Sequence, residues 1–408
     1  MASKKALVSE SAIGIILIIV GILKMLNATG VIWQSDSGKK SKSNTAESRA
    51  NNRMAKSHTN LGIKHFSMGD FDRAIQEFDK AIELKPEVAQ TYYNRGTAYH
   101  GKNDLDRAIQ DFSKSIQLRN NFPEALYNRG LIYYYKGELN LAIQDYSKSI
   151  ELKPDPEAYD NRGVIYNQKG EFDKAIKDFN KAIKLSPNTV EAYLNRGVAY
   201  TYKMDFDKAI RDFDKAMQLR PASAEVYASR GLAYYGKNDF NTAIEDLDKA
   251  IELDPDLIQA YNNRGLCYVG IGEYNKAIKD LNRFIESEPN YFIAWERKGA
   301  ALYAIGNYEE SMRCFDKALE ISPNYALPLL GKVLILYDLN RHEEAKGYVI
   351  RLQELGITEM GAPISEQHIQ AMIEELEREG FLNPKSWKVP LGRTILRKKF
   401  RVDDYHNR

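Results

Sequence analysis

The chain has 408 residues, with 58 Lys and Arg against 56 Asp and Glu and a formal net charge of +2. This balance argues against a nucleic-acid-binding protein that works through bulk positive charge, and 43% hydrophobic residues argue against general disorder. Two Cys exclude a disulfide scaffold and a Cys-rich metal site. Length alone predicts two or three domains. The chain also has 26 Tyr against 15 Phe and 3 Trp, more phenols than an ordinary core requires.

Residues 1–33 form an apolar segment behind a short basic start. Residues 12–23 read AIGIILIIVGIL, Lys24 interrupts them, and the following residues are mostly apolar again. A cleaved signal peptide fits this pattern, and so does an uncleaved single-pass anchor over residues 12–33 in which Lys24 reaches one interface. We expect the anchor, because a Lys directly after the apolar core is unusual for a cleaved signal. Residues 34–54 are polar and lack aromatics, which predicts a flexible tether.

The side of the membrane follows from the basic residues around this segment. Two Lys precede its apolar core over residues 12–23 and four follow that core, the first being Lys24, which favours a cytoplasmic location for the rest of the chain. Cleavage of a signal peptide would instead place the protein outside the cell or in the periplasm.

A repeat of 33 or 34 residues occupies most of the remaining chain. Its marker is the Gly of a recurring Arg-Gly dipeptide. Ala stands twelve residues after most markers, an aromatic residue or Leu sixteen after, and Pro twenty-four after in seven units. The markers are Gly96, Gly130, Gly163, Gly197, Gly231 and Gly265, with Gly62 and Gly299 in the same phase.

This period and residue pattern resemble the tetratricopeptide repeat. The resemblance covers nine units over residues 55–359, and the ninth is degenerate, with Val333 at the marker position. It implies an all-α fold, a right-handed superhelical solenoid of antiparallel helix pairs that follows the N-terminal transmembrane or signal helix. The repeats, first to ninth, are 55–88, 89–122, 123–155, 156–189, 190–223, 224–257, 258–291, 292–325 and the degenerate 326–359.

Each unit is predicted to contain two helices. In the second repeat these are residues 89–102, with Tyr92 and Tyr99 on one face, and residues 105–118, whose apolar residues recur at spacings of three and four. The marker Gly96 is small because the two helices approach closely there.

Arg and Asp occur together in the six middle repeats. Arg directly precedes the marker and Asp stands fifteen residues after it, whereas the first, eighth and ninth repeats lack both. This predicts a bidentate, partly buried contact with a structural role, because an unpaired Arg at a helix interface would be costly. The alternative is shared descent of duplicated units without contact. The residues are Arg95, Asp111, Arg129, Asp145, Arg162, Asp178, Arg196, Asp212, Arg230, Asp246, Arg264 and Asp280.

No catalytic set is evident in the sequence. Residues 96–102 and 231–237 match G-x-x-x-x-G-K, but Asn follows each, and both lie inside a predicted helix instead of between a strand and a helix. The six His have no metal-ligand spacing. We therefore predict no enzyme activity, no cofactor, no metal and no nucleic-acid partner.

The resemblance implies that the first helices of successive units line a concave face. Tyr is frequent at the positions that face it, and Glu124, Glu157, Glu191 and Glu225 form an acidic edge. Tyr offers rigid contact area with a hydrogen-bonding tip, so we expect the face to bind a protein or an extended peptide of neutral to basic charge. The alternative is that these residues fill family-average positions without a ligand. The expected contact residues are Tyr93, Tyr127, Tyr134, Tyr135, Asn167, Tyr202, Tyr235 and Tyr303.

The C-terminal end differs from the repeats. Residues 360–383 have apolar residues at helical spacing, which predicts an amphipathic helix that caps the last repeat. Residues 384–408 form a basic tail, for which we considered contact with anionic lipid or an acidic partner as well as simple solvation.

These observations together predict a non-enzymatic scaffold or adaptor anchored at a membrane. Two alternatives remain: an exported soluble scaffold after signal cleavage, and an accessory subunit of an enzyme or secretion complex.

Overall fold

The computed structural model describes residues 46–356, which form eighteen α-helices and no strand. The predicted membrane segment, capping helix and basic tail lie outside these residues. Among the described helices, none combines the length and apolar character needed to cross a bilayer. In chain order they are α1 Ala46–Ser67, α2 Phe71–Leu84, α3 Ala89–Gly101, α4 Leu105–Leu118, α5 Pro123–Tyr135, α6 Leu139–Leu152, α7 Pro156–Gln168, α8 Phe172–Leu185, α9 Val190–Tyr202, α10 Phe206–Leu219, α11 Ala224–Gly236, α12 Phe240–Leu253, α13 Ile258–Ile271, α14 Tyr274–Ser287, α15 Phe292–Ala304, α16 Tyr308–Ile321, α17 Ala326–Asp338 and α18 His342–Glu354.

The eighteen described helices fit nine repeats of two helices each, as the sequence predicts. In the second repeat, α4 has the predicted bounds and α3 ends one residue before the prediction. The predicted tether is wrong over residues 46–54, because α1 begins at Ala46 and has 22 residues. Ala, Arg, Met and Lys are good helix formers there, and the lack of aromatics did not prevent helix formation.

Each first helix is followed, within two residues of its end, by a residue with left-handed backbone conformation, seven residues after the marker position. Gly occupies this position in five repeats, and Asn103, Asn238, Asn340 and Met204 occupy it in the other four. The turn reverses the chain within three residues, and a side-chain cap often starts the second helix. The Asp104 carboxylate, for example, accepts a hydrogen bond from the Arg107 amide at 3.2 Å.

The marker Gly lets the two helices of a pair touch. A Cβ at Gly197 would lie 2.6 Å from the ring of Phe213, and one at Gly96 would lie 3.0 Å from the ring of Phe112. These aromatic residues are fully buried, as are the Ala residues twelve after the markers. One hairpin cannot bury this surface alone, so neighbouring repeats stack against it.

The chain divides after Glu171 into two compact units. The N-terminal unit contains α1–α7 and the C-terminal unit contains α8–α18, so the fourth repeat contributes one helix to each. Within each unit the helix pairs stack as a helical-repeat solenoid, in which each helix packs against the next and the first helices of neighbouring repeats also touch.

Candidate functional site

The Arg and Asp residues of the second, third, fifth, sixth and seventh repeats are in contact. Arg95 donates from Nε and Nη2 to the two carboxylate oxygens of Asp111, each at 2.7 Å. The pair predicted in the fourth repeat is divided between the units, with Arg162 in the first and Asp178 in the second. The same bidentate contact joins Arg129 to Asp145, Arg196 to Asp212, Arg230 to Asp246 and Arg264 to Asp280.

Each of these Arg residues also reaches the second helix of the preceding repeat. Arg95 Nη1 donates to Asp79 at 2.6 Å, and Arg230 Nη1 donates to Asp214 at 2.6 Å. Our sequence reasoning missed this third contact. The sequence contains a signal for this contact, because a polar residue stands seventeen residues after the marker Gly of the repeat that precedes each Arg. The remaining contacts of this kind are Arg129 to Ser113, Arg162 to Ser147, Arg196 to Asn180 and Arg264 to Asp248.

Two Tyr rings flank most of these guanidinium groups. The Cζ of Arg230 lies 5.9 Å from the ring centre of Tyr227 and 5.8 Å from that of Tyr234. The same arrangement surrounds Arg95, Arg162 and Arg264. The faces of aromatic rings attract cations. A large part of the Tyr excess therefore serves packing within the repeats.

The hydroxyl groups of several predicted contact residues form hydrogen bonds with side chains of the next repeat. Tyr93 accepts a hydrogen bond from the Asn128 side chain at 2.9 Å, and burial raises the pKa of Tyr93 to about 12. Tyr127 accepts from Asn161 at 3.0 Å, and Tyr134 accepts from Gln168 at 2.9 Å. In the C-terminal unit, Tyr303 donates to Asp338 at 2.9 Å. These tyrosines connect first helices about 34 residues apart in sequence.

The predicted contact residues differ in exposure. Tyr135 and Tyr202 are each 51% exposed, and Tyr202 stacks on Phe172 with ring centres 5.2 Å apart. Asn167 is half-buried on α7. The prediction of an accessible side chain is wrong for Tyr235, which is 6% exposed and packs against Phe240, because its ring turns into the contact between α11 and α12.

Basic residues partly neutralise the acidic edge. Lys153 donates to Glu124 at 3.1 Å and Arg220 donates to Glu191 at 2.6 Å. Near Tyr127, Glu157 has a raised carboxyl pKa, because the surrounding protein limits its hydration and Asp155 adds negative charge. On the acidic edge of the N-terminal unit, Glu124 thus has a cationic partner, whereas Glu157 forms no ion pair with a described residue.

The two stretches that resemble a phosphate-binding loop are explained by packing between repeats. A Cβ at Gly101 would lie 2.8 Å from the ring of Phe71, and Lys102 pairs with Asp72. Gly236 lies in the same way against Phe206, with Lys237 paired to Asp207. Both thiols, Cys267 and Cys314, are buried. Within residues 46–356, no cluster of His, Cys, Asp and Glu is arranged to hold a metal ion.

Family models match most of the repeat region. A model described as TPR repeat matches residues 62–103, 98–134, 163–204 and 231–272, and two models described as Tetratricopeptide repeat match residues 123–156, 190–223, 258–291 and 292–325. Together the matches span more than half of the chain. No curated protein matches the sequence.

Solved structures share the repeat. YrrB, a TPR protein with an unusual peptide-binding site, is 26% identical over 45% of this chain and 95% of its own, with a TM-score of 0.42. A tetratricopeptide repeat protein from Parabacteroides merdae is 19% identical over 64% of this chain and 99% of its own, with a TM-score of 0.49. The APC/C hetero-tetramer Cut9-Hcn1 matches 71% of this chain and 58% of its own at 18% identity, with a TM-score of 0.52.

Proposed function

The chain belongs to the tetratricopeptide repeat family, and on this premise we propose that it is a non-enzymatic protein-binding scaffold held at a membrane by residues 12–33. Members of this family typically serve as protein-interaction scaffolds. The proposed ligand is a protein or an extended peptide segment that contacts the Tyr-bearing first helices.

The observation that supports this proposal best is the pair of tyrosines in the third repeat, Tyr134 and Tyr135. Tyr135 is half exposed, and its ring lies 5.9 Å from that of Tyr134. Gln168 holds the Tyr134 hydroxyl from the next repeat. Because the supporting ring is fixed by this bond, Tyr135 can bury aromatic area against a ligand with little loss of side-chain entropy.

The charge near this group favours a neutral to basic ligand. Tyr127 donates a hydrogen bond to Glu157 at 3.3 Å, and no cation pairs with Glu157 among the described residues. A Lys or Arg of the ligand would supply the missing partner. In the C-terminal unit, Tyr202 on Phe172 offers a separate aromatic contact.

Affinity purification of the full chain from its native cells tests the proposal. We expect Tyr135→Ala to weaken the main partner about 30-fold, the loss of an aromatic hot spot, and Glu157→Gln to weaken a basic partner. Leu141→Ala is the matched control, because Leu141 is similarly exposed on the second helix of the same repeat. Equal recovery of the partner by Tyr135→Ala and the control would contradict the proposal.

Two measurements separate the alternatives. Mass spectrometry of the native N-terminus distinguishes an anchored protein from an exported one, since cleavage would leave a chain that starts near Val31. If an enzyme activity or secretion components co-purify in fixed ratio, the chain is an accessory subunit of that complex.

A further inference from the structure

The outer face of α1 differs from the same face in the following repeats. In the second to sixth repeats, Arg stands directly before the marker and Lys six after it. In the second repeat, Arg95 and Lys102 pair with Asp79 and Asp72 of the preceding repeat. The first repeat instead has Leu61 and Met68 at these positions, 45% and 66% exposed, and Met54 a further seven residues before is 51% exposed.

Met54 and Leu61 lie on one side of α1, because they are seven residues apart and so share a face over two turns. Met68 lies in the turn directly after Ser67, the last residue of the helix. Ala55, Thr59, Gly62 and Phe66 are the buried residues of α1 and form a different side of the helix. The result is an apolar stripe directed away from α2 and α3.

Basic residues border the stripe. The helix contains four Lys or Arg residues and a single acid, Glu47. At helical spacing, Arg53 and Lys64 fall beside Met54, Leu61 and Met68. Neither Arg53 nor Lys64 forms an ion pair within residues 46–356, whereas the equivalent faces of later repeats have paired cations.

We propose that this face of α1 and the turn that follows it, formed by Met54, Leu61, Met68, Arg53 and Lys64, lie on an anionic lipid surface. The inference rests on the membrane attachment proposed above. An interfacial helix buries an apolar face at the headgroup boundary while its cations bind anionic lipids. A second copy docked on the stripe would bring like charges together, so lipid fits the face better.

The position of α1 can be measured in the full chain with vesicles of phosphatidylcholine and phosphatidylserine. A fluorophore at Leu61→Cys reports burial in lipid, and one at Leu185→Cys, an exposed position on α8, is the control. Cys267 and Cys314 are buried and react slowly. We expect a nitroxide-labelled lipid to quench the probe at 61, an aqueous quencher to lose access to it, and the probe at 185 to stay unchanged.

The charge dependence gives a second test. Arg53→Gln and Lys64→Gln should each lower the constant for partition of the probe at 61 into lipid about fivefold. Vesicles of pure phosphatidylcholine should abolish the quenching of this probe by the nitroxide-labelled lipid. If the chain floats with vesicles while the probe at 61 stays accessible to water, this proposal fails and the membrane anchor stands. If the chain does not float, the anchor fails. If the aqueous quencher loses access to the probe at 61 without lipid, and more so at higher protein concentration, a second copy of the chain covers the stripe and the proposal is overturned.

Discussion

The sixth and ninth repeats place a cation at the same position but surround it differently. Arg230 bonds to Asp246, a carboxylate that is itself buried, and to Asp214. In the ninth repeat the cation Lys332 is buried, lies 4.6 Å from the ring of Tyr348, and pairs with the exposed Asp316. In the sixth repeat, the buried carboxylate of Asp246 needs Arg230 to compensate its charge. In the ninth repeat, the carboxylate of Asp316 remains hydrated. The burial of the partner should therefore determine how much each cation matters.

The largest effect is expected for Arg230→Met. The substitution leaves Asp246 buried without its bidentate partner, which costs about 3–5 kcal/mol. Urea denaturation of the full chain measures the loss, and hydrogen exchange locates it at α11 and α12. Arg211→Met, at an exposed position of α10, should change little. Adding Asp246→Asn should recover part of the loss, and strictly additive effects would show that the pair does not act as a unit.

Glu296 should make the eighth repeat sensitive to pH. The equivalent Asn262 accepts a hydrogen bond from Arg297 at 3.2 Å, whereas Glu296 is 3% exposed and the residue that corresponds to Arg297 is Gly331, which has no side-chain donor. Burial raises the pKa of Glu296 from 4.5 to about 7. The folded chain therefore holds a proton that the unfolded chain releases, so this contribution to stability is complete below pH 4.5 and is lost as the pH rises through 7.

Glu296→Gln should remove this pH dependence. At pH 8 the variant should gain about 3 kcal/mol of stability, because the cost of the buried charge disappears. Thermal unfolding at pH 5 and pH 8, together with hydrogen exchange in α15, measures the change. Parallel pH profiles for the variant and the parent chain would refute the assignment.

Substitution of a marker Gly tests the close approach of the paired helices. In Gly197→Ala the new methyl group would meet the ring of Phe213 at 2.6 Å, and overpacking of this kind costs about 2 kcal/mol. Gly347→Ala, in α18, has open space and should stabilise its helix by about 0.5–1 kcal/mol. Chemical denaturation of the two variants should give shifts of opposite sign, and shifts of the same sign would contradict the packing argument.

The turn at Met204 should be improved by Gly. Met204 has a φ of 62°, a conformation that costs a residue with a side chain about 1 kcal/mol, whereas Gly137 has a φ of 75° at the equivalent place. Met204→Gly should therefore raise the free energy of unfolding by up to that amount, and Gly137→Ala should lower it. A lower midpoint for Met204→Gly would show that contacts of the Met side chain outweigh the backbone strain.

The smallest effect is expected for Lys332→Met. The remaining Asp316 is exposed and stays solvated, and Met retains the apolar contact with Tyr348, so the change should stay within about 1 kcal/mol. The same measurement as for Arg230→Met gives the comparison directly. A loss as large as that of Arg230→Met would show that burial of the anion is not what distinguishes the two repeats.

Sequence reasoning succeeded for contacts within one repeat. The period set the helix pairs, and the joint occurrence of Arg and Asp predicted a contact between residues sixteen apart in sequence. It failed where the contact depends on how repeats stack. The hydrogen bond between Asn128 and Tyr93 and the third bond of Arg95, to Asp79, both require the register of neighbouring repeats, which a single repeat pattern does not contain.

The contact between the end of one first helix and the preceding second helix has a consequence for repeat number. Gly236 faces Phe206, and Gly270 faces Phe240. Excision of residues 224–257 would bring Gly270 against Phe206 and Arg264 towards Asp214, which are the same chemical partners in a new combination. The sixth repeat can therefore be removed as a module. The number of repeats in the C-terminal unit can change at this interface, because the residues that would meet are of the same types as those already in contact.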